Sequence, residues 1–156
     1  MFVLSFLSMY YSKCANGYVI RAEIGEEIQE ALRQFAQAVK LKAAFYQGIG
    51  ALTQVELAFF CTDLKVYDHR FFNEEYELIC LMGNLSSQDG VIVPHTHVAL
   101  GDRNFQTYSG HLVRGVVSVT LEIFVSTVDI ALTRKEDAIL KYKGLISARR
   151  THLKIE

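Results

Sequence analysis

The sequence has few of the residues that mark linkers between domains. Its 156 residues include one proline, Pro94, and its ten glycines form no runs with serine. Domains commonly contain about 100–150 residues, and 51% of this chain is hydrophobic, which is enough to bury a core. We therefore expect one folded domain, and this composition excludes an intrinsically disordered chain.

Cysteine is also scarce. Cys14, Cys61 and Cys80 are widely spaced, odd in number, and form no Cys-x-x-Cys motif. This pattern argues against a disulfide framework and fits a reducing cytoplasm. Cys61 and Cys80 stand in apolar runs, where cysteine usually acts as a small core residue.

The chain lacks an excess of either charge. It has 16 basic and 17 acidic residues and a formal charge of −1. Proteins that bind nucleic acid usually carry a basic excess, because contacts to phosphates dominate their affinity. The last 31 residues are mildly basic, which fits ordinary solvated charge. Net charge thus gives direct DNA binding only weak support.

No apolar run is long enough to span a membrane, which takes about 20 residues. Residues 1–11 are apolar, but they lack the positive charge that opens a signal peptide and no small-residue cleavage site follows them. We interpret this segment as a strand or a loosely held leader, and we expect no membrane partner.

The first half of the chain predicts a strand, a helix and further strands. Tyr18–Ile24 is strand-like, and Gly25 ends it. Glu26 and Glu27 then open a helix, since acidic residues complement the positive end of its dipole. The apolar side chains of the helix recur at helical spacing, at Ile28, Ala31, Leu32, Phe35 and Val39. The later Gly48-Ile49-Gly50 predicts a tight turn or a bulge between strands.

From residue 75 onward the pattern predicts strands. The predicted segments are 76–82, ending at Gly83-Asn84, then 91–100, 105–108, 112–113, 116–125 and 128–132, with a short helical turn or final strand at 138–145. Asp89-Gly90 is a turn motif. One early helix followed by many strands favours an α+β fold with a mostly antiparallel or mixed sheet.

Three histidines form the chemically distinctive part of the sequence. Residues two apart on a strand share a face, so His95 and His97 project side by side. His111 follows 14 residues later, and we expect a turn at Gly110 to bring it alongside. Three histidines with one open position resemble several catalytic zinc sites. The alternative is that they hydrogen-bond to backbone or carboxylate groups.

Both faces of the strand that carries His95 and His97 are largely apolar, so we expect it to be buried on both sides. Glu77 and Glu122 are weak candidates for catalytic carboxylates that orient a ligand histidine or act as general base. Each could equally be a glutamate at a strand edge or a subunit contact.

An ordered set of motifs resembles the plants-and-prokaryotes-conserved (PPC) domain family. The set is Gly48-Ile49-Gly50-Ala51-Leu52, Tyr76-Glu77-Leu78, Gly83-Asn84-Leu85, Asp89-Gly90, His95-Thr96-His97, Gly110-His111-Leu112 and Thr120-Leu121-Glu122-Ile123. The resemblance implies a single domain over residues 9–147, with residues 1–8 as a leader and 148–156 as a C-terminal tail.

The resemblance implies an α+β fold with one long flanking helix, assembled as a homotrimer. It also implies a metal, usually zinc, on residues that correspond to His95, His97 and His111. Two features depart from the family. Ser109-Gly110 stands where Gly-Gly usually precedes the third histidine, and the Arg-Gly-Arg-Pro core of the AT-hook is absent.

Three functions remain open on this basis. The chain could be a trimeric regulatory module that contacts DNA or a protein, a zinc-dependent hydrolase or lyase, or a structural trimer in which the histidines brace the fold.

Overall fold

The computed structural model describes residues 9–146, and within that range it contains one helix and nine strands. The strands are β1 (Tyr10–Cys14), β2 (Gly17–Ala22), β3 (Ala44–Cys61), β4 (Val66–Phe72), β5 (Tyr76–Gln88), β6 (Val91–Gly101), β7 (Thr107–Thr127), β8 (Thr133–Glu136) and β9 (Lys143–Ile146), and the helix is α1 (Ile28–Ala38). This arrangement confirms the α+β class. The predicted leader and tail lie outside the described residues.

All nine strands belong to one sheet, whose main path has the order β1-β2-β7-β3-β5-β8-β9. Strand β4 extends β3 as a hairpin, and β6 pairs with both β5 and β7. Because β5 and β7 also both pair with β3, these four strands form a closed ring of pairings. All pairings are antiparallel except the short one between β5 and β8.

Helix α1 covers one face of this sheet. Glu27 caps it rather than forming part of it, and its carboxylate accepts hydrogen bonds from the backbone amides of Gln29 and Glu30. The buried stripe is close to the predicted one, namely Ile28, Ala31, Leu32, Phe35 and Ala36. Val39 forms the C-cap and packs at the edge of the core.

Two predicted interruptions lie inside strands. The register of β3 shifts between Gly48 and Gly50, so the predicted bulge exists within one continuous strand. Strand β5 runs through Gly83 without ending. A Cβ at Gly83 would lie 2.3 Å from the carbonyl oxygen of His95 and 2.4 Å from the hydroxyl of Tyr46. Glycine is required there by close packing rather than by a turn.

The turn predicted at Gly110 is wrong. Gly110 lies within β7, opposite Val98 of β6. The chain reverses earlier, where the carboxylate of Asp102 accepts hydrogen bonds from the amides of Asn104 and Gln106. No strand forms at residues 128–132, and β4 is a strand that the sequence pattern did not predict.

The other face of the sheet is open in a single chain. Large apolar side chains there are about half exposed, including Phe45, Ile49, Met82 and Phe124. Among residues 9–146, no helix is both long and apolar enough to cross a membrane.

Candidate metal centre

The three histidines meet where β6 and β7 begin to pair. His97 and His111 are directly opposite each other on the two strands, and His95 lies two residues before His97 on β6. The three side chains each offer a ligand nitrogen, and these atoms all lie within 4.8 Å of one another. The ring centroids are 5.0 to 5.4 Å apart. The structure therefore brings together all three residues that the sequence singled out.

The expectation that β6 is buried on both sides is wrong for the single chain. Thr96, Val98 and Leu100 are buried against the helix side of the sheet. His95 is half-buried and His97 is exposed on the opposite, open face. Met82 lies opposite His97 on β5 and is exposed on the same face.

A chain of hydrogen bonds on the helix side fixes β6 beneath the histidines. The hydroxyl of Thr96 donates to the side-chain oxygen of Gln29 at 2.7 Å, and the amide nitrogen of Gln29 donates to the carbonyl of Leu112 at 2.8 Å. The single hydroxyl proton of Thr96 is thereby used, so Tyr46 donates to Thr96 at 2.6 Å. Burial raises the pKa of Tyr46, which keeps it protonated for this role.

The histidines are neutral imidazoles at neutral pH. Burial, and then the positive charge of Arg134, lower the pKa of His95 to about 4. Burial, and then His97, lower the pKa of His111 to about 4. Burial also lowers the pKa of His97. A neutral imidazole presents a free lone pair, which is the form that binds a metal ion.

The donor set fits a zinc ion. The Nδ1 atom of His111 is buried and has no hydrogen-bond partner among the described residues. Such orphaned atoms are costly in a folded protein unless something binds them. Tetrahedral zinc with bonds of about 2.0–2.1 Å places its nitrogen ligands about 3.3 Å apart. In this structure the three nitrogens lie within 4.8 Å of one another, so the donor set matches zinc in the kind and number of its ligands.

A cleft of about 600 Å³ opens beside the histidines. It is lined by His95 and His111, and on the far side by the β8–β9 hairpin with Arg134. The guanidinium of Arg134 donates to Ser86, Asn84 and the carbonyl of Lys143 at 2.9 to 3.0 Å.

The structure does not place the candidate carboxylates in this cleft. Glu77 and Glu122 line a separate depression with Ile49 and Val119. Sequence reasoning also missed Gln29, Tyr46 and Arg134, because each meets its partners across long stretches of chain. Gln29 gave no local signal, because a polar residue beside a buried one is ordinary in an amphipathic helix.

The comparisons with known proteins place the chain in a family. The model of the Plants and Prokaryotes Conserved (PCC) domain matches residues 9–129. The chain therefore belongs to this family, as the motifs predicted.

Several solved structures share the fold. A candidate DNA-binding protein from Bacteroides thetaiotaomicron has a TM-score of 0.86 and 27% identity, and the match covers 90% of this chain and 99% of that one. A plant- and prokaryote-conserved protein from Pyrococcus horikoshii has a TM-score of 0.77 and 29% identity, and the match covers 97% of this chain and 100% of that one. A metal-containing protein from Archaeoglobus fulgidus has a TM-score of 0.78 and 22% identity, and the match covers 92% of this chain and 100% of that one. At this identity the likeness shows the fold alone.

One curated relative is the bifunctional protein GlmU from Synechococcus sp. (strain JA-3-3Ab), which is 28% identical over 131 residues. The match covers 82% of this chain but only 20% of that protein.

Proposed function

We propose that this protein binds one divalent metal ion, zinc, on His95, His97 and His111. The observation that carries the proposal is the convergence of three ligand nitrogens within 4.8 Å, one of them buried without a partner. The metal-containing protein of the same fold from Archaeoglobus fulgidus supports it. A zinc ion held there would supply Lewis-acid chemistry toward a ligand in its open position.

The chain's own residues would orient and tune such an ion. Thr96 lies between His95 and His97 and fixes β6 through Tyr46 and Gln29. The positive charge of Arg134 helps keep the imidazoles neutral at physiological pH, and the cleft leaves one side of the cluster accessible.

We also propose that the chain assembles as a homotrimer. The open sheet face carries Phe45, Ile49, Met82 and Phe124 next to His97, and these apolar side chains are about half exposed. Contiguous apolar surface of this kind marks association sites. A second copy is the natural cover for a sheet that one helix protects on one face only.

The free cysteines Cys14, Cys61 and Cys80 agree with a cytoplasmic location.

Metal analysis tests the metal site. Protein purified without an affinity tag is dialysed with zinc, and bound metal is measured by mass spectrometry. We expect about one equivalent per chain, and loss of about 10-fold or more in affinity for His97→Gln and His111→Gln. His69→Gln is the matched control, because His69 pairs with Glu56 at 2.7 Å outside the cluster. Equal zinc binding by all four proteins, or none by the wild type, would contradict the proposal.

The same variants separate a functional site from a structural brace. If the histidines only brace the fold, His97→Gln will lose its circular-dichroism unfolding transition or its assembly together with the metal. If the site serves a ligand, the variant will fold and assemble without metal.

DNA is a second candidate partner, supported by the description of the similar Bacteroides thetaiotaomicron protein. The formal charge of −1 weighs against it. A mobility-shift titration decides: DNA binding predicts a shift that weakens steeply between 50 and 200 mM salt, as counterion release requires. Absence of any shift at the lower salt excludes this candidate.

A further inference from the structure

We infer that the cleft beside the histidines is a binding site for a small oxyanion, a carboxylate or a phosphate, held by the guanidinium of Arg134. The contact to Arg134 stands on its own. A second contact, between the same ligand and a metal ion on the histidines, rests on the proposed function.

Arg134 is a buried cation with neutral partners. Its relative exposure is 7%, and its guanidinium donates hydrogen bonds to the hydroxyl of Ser86, the amide oxygen of Asn84 and the carbonyl of Lys143. Among residues 9–146, no carboxylate lies within 4.0 Å of it. A buried charge without a counter-charge is costly, so an anion in the adjoining cleft would stabilise this arrangement.

Arg134 keeps donors free for such an anion. A guanidinium has five N–H donors, and the three contacts above use three of them. The planar group is suited to grip two oxygens of one carboxylate or phosphate.

The charge of the cleft points the same way. Its lining includes Arg134, Lys141 and Lys143 but no aspartate or glutamate. Lys141 is paired weakly with Glu136, at 3.4 Å and in solvent. A volume of about 600 Å³ suits a small molecule.

The site adjoins the histidines directly. Asn84, which accepts from Arg134, lies opposite His95 on the neighbouring strand. The β8–β9 hairpin that carries Arg134 begins after residue 129, where the match to the family model ends. The cleft therefore lies between the C-terminal hairpin, which supplies Arg134, and the strands that carry His95 and His111.

Calorimetric titration of the whole chain tests the inference. Malonate and inorganic phosphate are the two anionic probes, and malonamide is the neutral control. We expect at least one anion to bind the metal-free protein saturably at millimolar concentrations, and malonamide not to bind. Arg134→Met should weaken binding by about 10-fold or more, because charge-assisted hydrogen bonds are lost. Arg103→Met, at an exposed turn position, should bind like the wild type.

Arg134→Lys keeps the charge and removes the fork, so it should fold and bind several-fold more weakly. If Arg134→Met does not fold, Arg134→Lys still tests whether anion binding depends on the guanidinium. Equal affinity of Arg134→Lys, Arg103→Met and the wild type, or no saturable binding of either anion, overturns the inference.

Loading the protein with cobalt separates the two proposals. An anion that also reaches the metal should change the visible absorption of the bound cobalt. If cobalt does not bind while anion binding still depends on Arg134, the metal proposal fails and the anion site stands. If cobalt binds and neither anion binds, the anion inference fails and the metal proposal stands.

Discussion

The substitution Thr96→Val tests how the sheet is fixed beneath the histidines. Valine matches threonine in shape but has no hydroxyl. In the wild type, Tyr46 donates to Thr96 and Thr96 donates to Gln29, with contacts of 2.6 and 2.7 Å. The substitution therefore leaves a buried tyrosine donor and an amide oxygen without partners.

Thr96→Val should lower the stability of the fold more than Tyr46→Phe does. An unsatisfied buried polar group costs about 1–3 kcal/mol, and Tyr46 is fully enclosed whereas Gln29 is half-buried. Thr96→Val should therefore lower the free energy of unfolding by about 3 kcal/mol. Tyr46→Phe leaves the bond from Thr96 to Gln29 intact, so it should cost only about 1 kcal/mol. In the double variant the orphaned tyrosine donor is gone, and the cost should fall about 1–2 kcal/mol short of the sum.

Urea unfolding of the metal-free protein measures these values at one fixed chain concentration, because assembly would make stability concentration-dependent. Thr107→Val, at an exposed position of β7, is the control and should change stability by no more than about 0.5 kcal/mol. If Thr96→Val costs no more than Tyr46→Phe, or if the two effects simply add, the hydrogen bond between Tyr46 and Thr96 does not stabilise the sheet as described.

Three further predictions concern pH, packing and assembly. The folded pKa values of His95 and His111, about 4, lie below the unfolded value of about 6.5. The unfolded chain thus takes up protons first, and the urea midpoint of the metal-free protein should fall as pH drops from 6.5 toward 4; a midpoint independent of pH would contradict this. Gly83→Ala places a Cβ 2.3 Å from the carbonyl of His95, so it should cost about 3 kcal/mol and weaken zinc binding, whereas an unchanged thermal midpoint would show that the strands separate freely. Phe124→Glu, on the half-exposed apolar face, should reduce the mass measured by light scattering, whereas Phe105→Glu, at a turn residue that is 94% exposed, should not; equal masses would remove the apolar face from the proposed interface.

The sequence predicted the helix and the histidine pair because both depend on local periodicity. Ile28, Leu32 and Phe35 recur at helical spacing and are buried as expected. His95 and His97 share a face through strand parity alone. Local patterns of this kind need no knowledge of the rest of the chain.

The path to His111 was predicted for the wrong reason. The sequence pattern predicts a turn at Gly110, but this residue lies within a continuous strand. A Cβ at Gly110 would lie 3.2 Å from the carbonyl oxygen of Ala58. The same error occurred at Gly83. A single sequence does not distinguish a glycine needed for backbone angles from one needed for close packing.

Long-range pairings set the remaining features. Arg134 meets Ser86 across 48 residues of chain, and Gln29 meets Leu112 across 83. No periodicity links such positions, so neither the anion site nor the hydrogen bonds beneath β6 could be derived before the fold was known.

The burial pattern of β6 carries information about assembly. Val91 and Val93 make the histidine face of β6 apolar, which is the pattern of a strand that is buried on both faces. In a single chain, however, His97 and Met82 on that face are exposed. Apolar residues on an open face lower solubility without stabilising the monomer. A second copy packed there would supply the missing cover and exclude water from one side of the histidine cluster. Zinc affinity and assembly should then be coupled, so that Phe124→Glu weakens zinc binding although residue 124 offers no ligand.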